Sequence, residues 1–394
     1  MTRRAAVRAC AAAIWCGVGA TAHADGPGVG SPSIAALGDS AISGEAGRWA
    51  GNTNSSSSRV DALGSRAYWD TPKGEAIRGC HRSKSAEVYI GIPAVNLACS
   101  GARTATNAGS SDFKPGIDFY SDASGRKGQA QMLKEYATTH NVRAVVLLIG
   151  ANNYGFADIV QACIADWLTS PSWWKNYCSD DSGITSRFTA SRIATETANV
   201  KGAILNVRQA MTNAGYADSM YRILVQTYSS PIPRGAGFRY PQTGFTRQTI
   251  GGCGVWNRDA DWSNDTVVSV FNSTARNAAA RSGLSNVRVL EMSDALTGRR
   301  LCENTVGLLE EKGVASWQTA GAVDKSEWVS QIRTVTTIFP PYQLQEDGHP
   351  SYWGQLALRN CLRQAYHGGY PQGGTCTIDG TGLTDRGEPV MRFR

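Results

Sequence analysis

Charge is scarce in this chain. Only 18% of its 394 residues are Asp, Glu, Lys or Arg, and the basic ones lie scattered. A nucleic-acid binder needs a basic stripe or patch, so nucleic acid is not an expected partner. Long apolar runs are also missing. Residues 9–20 form the first apolar stretch, too short to span a bilayer comfortably, and no later segment qualifies as a membrane helix. No two cysteines stand two to four residues apart, which argues against a zinc cluster. No internal repeat and no linker-like stretch divides the chain. The Gly-X-Ser-X-Gly turn of many hydrolases is absent as well, because Ile42 stands where its second glycine would be.

What is present suits an exported, loop-rich protein. Hydrophobic residues make up 42% of the chain, enough for a sizeable core, and there are 43 glycines. Residues 1–24 read as an export signal: Arg3, Arg4 and Arg8 precede the short apolar stretch, and Ala22-His23-Ala24 supplies small residues for cleavage. Its removal lowers the formal charge from +7 to +4. Eight cysteines then remain: Cys80, Cys99, Cys163, Cys178, Cys253, Cys302, Cys361 and Cys376. An even number in an exported chain implies disulfides, although sequence alone does not fix the connectivity. Sequential pairing is the simplest arrangement. Each such loop contributes roughly 3 kcal/mol through the unfolded state. The expectation is a secreted protein with a single domain over residues 25–394 and long disulfide-tied loops.

Five short apolar runs read as strands buried on both faces: 34–37 (IAAL), 94–98 (AVNLA), 143–149 (RAVVLLI), 222–227 (RILVQT) and 286–290 (NVRVL). Helix-like stretches lie between and after them, at 194–213, 267–282 and 353–366. Strand alternating with helix predicts a layered α/β fold around a parallel sheet of about five strands. Two regions break the rhythm and read as long loops. One is 44–85. The other is 160–186, where Trp167, Trp173 and Trp174 stand near Cys163 and Cys178. A local aromatic minicore is the favoured reading of these tryptophans, and an apolar wall or lid the alternative.

Ligands of open parallel sheets sit at the carboxyl ends of the strands. Three strands end there in different chemistries. The first ends in Gly38-Asp39-Ser40, the second in Cys99-Ser100-Gly101 and the third in Gly150-Ala151-Asn152. Ser40 offers a hydroxyl, Gly101 an unobstructed main-chain N–H and Asn152 an amide donor. Together they suit an oxyanion hole formed by Ser40, Gly101 and Asn152. A serine needs a base. Of five histidines, His349 stands in QLQEDGHPSYWGQ with Glu346 and Asp347 just before it, whereas His81 and His140 lie in polar stretches.

These blocks, GDSAISGE, ACSGA, GANN and DGHPSYWG in that order, resemble the SGNH (GDSL) hydrolase superfamily. Wider stretches, CHRSKSAEVY, SSPIPRGAGFRYP and GGCGVWNRDADW, resemble its secreted actinobacterial members. The resemblance implies a flavodoxin-like three-layer α/β/α sandwich and carboxylic ester hydrolysis, with Ser40 as nucleophile and His349 as base. Asn153 replaces the usual Asp of the third block. Glu346 occupies the place of the usual acid, with Asp347 next to it, so the group orienting His349 is Glu346, Asp347 or a main-chain carbonyl. The chemistry requires no metal or cofactor. The expected protein is a monomer acting on a small-molecule, lipid or glycan ester. Acetyl-sugar hydrolysis and a catalytically inactive surface-binding module are the alternatives.

Overall fold

Residues 32–38 (PSIAALG) form β1, every one of them buried after the first. Alternate side chains point to opposite faces. Ile34 and Ala36 join one core, Ala35 and Leu37 the other. This explains why the run is apolar throughout rather than alternating. The computed structural model describes residues 25–109, 112–334 and 338–394, so the expected export signal lies outside the described residues.

Around β1 (Pro32–Gly38) stand β2 (Ala94–Asn96), β3 (Asn141–Leu148), β4 (Arg222–Gln226) and β5 (Val287–Glu291), all parallel. Their order is β2-β1-β3-β4-β5, the flavodoxin-like order. The sheet is wider than the five strands expected. β6 (Gly374–Leu383) adds to β5 through two parallel residue pairs, and β7 (Pro389–Phe393) closes the edge as an antiparallel hairpin partner. These two strands escape a search for apolar runs because most of β6 faces solvent. β2 is shorter than its apolar run, although Leu97 N still donates to Ala36 O and Cys99 N to Gly38 O; between them Ala98 N is taken by the Asn96 side chain.

Helices cover both faces. On one lie α2 (Gln129–Thr138), α4 (Ala190–Asn213) and α5 (Ser269–Arg281), packing residues such as Leu133, Ile204 and Ala278 onto Leu37, Val145 and Ile223. On the other, α6 (Tyr352–Tyr366) and α3 (Phe156–Thr169) set Leu358, Leu362 and Ile159 against Ile34, Val146 and Leu224. The helical turn α1 (Ser40–Ser43) follows β1 directly. The first part of the segment read as a Trp-bearing loop is therefore a helix. Its Trp167 is buried against Trp256 and Phe245, while Trp173 and Trp174 are 82% and 74% exposed and take no part in a minicore. The four disulfides join the cysteines in sequence order, Cys80–Cys99, Cys163–Cys178, Cys253–Cys302 and Cys361–Cys376.

The chain changes winding direction at β1, whose neighbours are β2 on one side and β3 on the other. The crevice outside their carboxyl ends is where this topology places a ligand. Gly38 makes that end possible. Its φ is +145°, and a Cβ there would stand 1.9 Å from Leu148 O. Gln129, fully buried on α2, holds the same residue by both backbone groups: Gly38 N–H donates to its Oε1 at 2.7 Å and its Nε2 donates to Gly38 O at 2.8 Å. Gly38→Ala should cost about 3 kcal/mol through strain and overlap, read as a lower urea midpoint with an unchanged slope.

Candidate active site

Ser40 begins α1. Its N–H lies in the first turn, where no helical acceptor exists. Asp39 caps that turn by accepting from Ala41 N at 3.2 Å. The other Asp39 oxygen accepts from the Tyr228 hydroxyl at 2.5 Å, and that hydroxyl also accepts from Ala151 N at 3.1 Å. Tyr228 thus ties the Ser40 turn to the loop carrying Asn152. Burial pushes the Asp39 carboxyl up to about 7, opposed by the Tyr228 and Ala41 hydrogen bonds.

The second loop is fixed by similar lacing. Cys99 N donates to Gly38 O, Ser100 N to Cys80 O, and the Cys80–Cys99 disulfide joins the same two segments. Gly101 has φ +77°, and among the described residues no acceptor takes its N–H. Asn152 Nδ2 donates one hydrogen to Ala102 O at 3.0 Å, leaving its second hydrogen for the cleft. Asn153 explains itself: it accepts from Thr104 N and donates to Thr104 Oγ1 and to Glu196, clamping the glycine loop onto α4. An amide does this where a carboxylate, lacking donors, would not.

His349 Nε2 lies 2.7 Å from Ser40 Oγ, and its Nδ1 lies 3.0 Å from the main-chain oxygen of Asp347. A carbonyl only accepts, so Nδ1 carries the proton, and in the neutral ring Nε2 accepts from the Ser40 hydroxyl. Burial lowers the His349 pKa below 6.5, opposed by the charge of Glu45 and by hydrogen bonds to Asp347 and Glu346. The ring is therefore neutral at neutral pH, as a base must be.

Neither candidate acid reaches the imidazole by its side chain. Glu346 accepts from the Tyr68 hydroxyl at 2.6 Å and from Gln343 N at 2.9 Å. Asp347 Oδ2 accepts from Arg333 N at 2.7 Å, and burial pushes its carboxyl up to about 8. The group that meets His349 Nδ1 is the main-chain carbonyl of Asp347, the third of the sequence alternatives. His81 differs from its reading as a residue of a polar stretch. It is buried, its ring stacks on Tyr68, and its Nδ1 lies 2.6 Å from Glu45 Oε1.

Ser40, Gly101, Asn152 and His349 line one cleft of about 660 Å³, a size typical of small-ligand sites. Phe156, Val160, Ile164 and Leu168 form one wall. They recur every four residues along α3, so they share a face about 18 Å long. Ile332 and Leu344 stand among the other lining residues, and Asp112 and Lys114 give a polar part beside Ser100. Sequence reading missed Gln129, Tyr228, Glu45 and this helix face. The face alone had a signal, its four-residue apolar spacing.

The geometry makes a direct prediction about the acid. Asp347→Asn and Glu346→Gln should each keep kcat within about tenfold, whereas loss of the carboxylate of a Ser-His-Asp triad costs about 10⁴. Steady-state kinetics on a soluble ester measure this.

No protein-family model and no curated protein matches the sequence. The chain is similar in structure to an extracellular lipase from Streptomyces rimosus, with 17% identity and a TM-score of 0.43 over 82% of this chain and 95% of that one. A phospholipase A1 from Streptomyces albidoflavus follows at 18% identity and a TM-score of 0.42, over 83% and 95% of the two chains. A family two carbohydrate esterase from Clostridium thermocellum has 14% identity and a TM-score of 0.35, over 86% and 63%.

Proposed function

We propose that this chain is an exported serine ester hydrolase that works through an acyl-enzyme on Ser40, with His349 as base. The observation that carries the reading is the 2.7 Å contact between Ser40 Oγ and His349 Nε2 at the floor of a cleft lined by donors. As Ser40 Oγ bonds to the ester carbon, its proton passes to His349 Nε2. The carbonyl oxygen becomes an oxyanion facing the N–H groups of Ser40 and Gly101 and the free Asn152 hydrogen. The bond to the alcohol then breaks and His349 returns the proton to the leaving oxygen. Water, deprotonated by the same nitrogen, attacks the acyl-enzyme and frees the acid. The Asp347 carbonyl holds the imidazolium in place during both steps.

The apolar face of α3 favours an acyl chain over an acetyl group as the part bound there, so esterase or lipase activity ranks above acetyl-sugar hydrolysis. Export fits the four disulfides, which persist in oxidising surroundings.

A fluorophosphonate probe, which reacts with activated serines, tests the reading. It should label the wild type and not Ser40→Ala; an unlabelled wild type would support the inactive binding module instead. Asn152→Ala should lower turnover by about 10²–10³. Because the base must be neutral and the His349 pKa is lowered, activity should rise with pH along a limb lying below pH 6.5 and be complete by neutrality. Ile164→Trp should lower kcat/KM for long-chain p-nitrophenyl esters by about tenfold or more while sparing the acetate. Equal losses for both would argue that α3 is not the acyl wall.

A further inference from the structure

Below the catalytic pair lies a buried group that the mechanism above does not use. Glu45 closes the turn that Ser40 begins, its N–H donating to Ser40 O at 3.1 Å. Its side chain is fully buried. One carboxylate oxygen meets His81 Nδ1 at 2.6 Å, and among the described residues the other is buried without a well-formed hydrogen bond, with the Ser100 hydroxyl near the carboxylate. Taking both members of an ion pair out of water is costly, and a carboxylate oxygen without a well-formed hydrogen bond adds to that cost. Such a pair contributes little to stability that apolar packing would not supply better, so its place calls for another explanation.

The surroundings supply one. His81 is held by Ser43 and Glu75, its carbonyl accepting from Ser43 Oγ and its N–H donating to Glu75. Its ring stacks on Tyr68, whose hydroxyl donates to Glu346, three residues before His349. A continuous buried chain of contacts therefore runs from the Ser40 turn to the His349 loop. The ionisable groups facing the pair are Tyr68, Glu75, Glu346, Asp347 and His349. Glu346 and Asp347 are driven towards their neutral forms by burial, whereas Glu45 is lowered: burial raises it, but the His81 hydrogen bond and charge outweigh this. His81 is raised by the same contact, against the effect of its own burial. Of these three carboxylates, Glu45 is thus the one whose ionised form its surroundings favour.

We infer that the buried Glu45–His81 pair is a positioning element of this active site, in which Glu45 supplies from beneath the His349 loop the negative charge that a triad acid supplies by direct contact. His81 keeps Glu45 ionised, and the Asp347 carbonyl keeps the ring oriented. Orientation and charge compensation, usually the work of one acid, are divided between two groups. The inference rests on the hydrolase reading.

The test is the pH–rate profile of Glu45→Gln, a substitution of nearly equal shape. Loss of the charge should lower kcat by about tenfold or more with KM within about twofold, since the imidazolium forms only along the reaction path. The acid limb should move to lower pH, because Glu45 favours protonated His349. His81→Gln should act in the same direction, and the double variant should be no worse than Glu45→Gln alone. Glu45→Asp, which keeps the charge, should recover part of the rate. Fluorophosphonate labelling separates folding from function: the labelled fraction counts intact sites, and the rate constant reads each site's reactivity. If the rate constant per intact site and the acid limb of Glu45→Gln match the wild type, or if the two single losses simply multiply, the inference is overturned while the hydrolase reading stands. A wild type that does not label removes both.

Discussion

One hydrogen bond joins residues 309 positions apart, from the Ser40 hydroxyl to His349 Nε2. A contact between a strand end and a loop so distant in sequence survives only if both sides are immobilised independently. On the serine side this is done by a sterically required glycine, the two-ended grip of Gln129 and the Asp39 cap. On the histidine side, Ser330 N donates to His349 O and Gly348 N to Ser330 O, pinning the loop to a neighbouring segment rather than to the sheet. The sheet delivers Ser40, and the long excursion before α6 delivers His349.

Between these anchors the site is built mainly from backbone groups left over at the edge of a parallel sheet. Strand ends carry N–H and C=O groups with no further ladder partner, and buried ones must be satisfied elsewhere. Here side chains satisfy most of them: Gln129 takes Gly38, Tyr228 takes Ala151, Asn152 takes Ala102 and Asn153 takes Thr104. Among the described residues, the Gly101 N–H is left without an acceptor. A donor kept free within a network that occupies its neighbours is preorganised, because it need not break a bond to receive developing charge.

The five parallel strands and the helices α4, α5 and α6 were legible because burial on both faces writes a continuous apolar run, and a helix writes a periodic one; α3 was read in part as loop. β6 was not, since an edge strand mostly exposed to solvent needs no such run, and the half-buried β7 is too short to stand out. Ser40, Gly101, Asn152 and His349 were legible as strand-end or loop residues of unusual type, and the structure lines one cleft with all four. The orienting carbonyl of Asp347 has no side-chain signature, so sequence held it only as one of three options. Glu45 and His81 stand 36 positions apart in stretches that read as loop, and only their shared burial makes them a pair. Gln129 and Tyr228 likewise act through distances that no local pattern encodes.

The α3 wall is a ruler. Its four apolar side chains are graduations four residues apart, about 6 Å each. Enlarging or shrinking any one of them shortens or extends the usable groove by roughly one turn while leaving the strand ends untouched. Single substitutions on this face can therefore reshape the cleft in small steps while the strand ends that carry Ser40, Gly101 and Asn152 stay as they are.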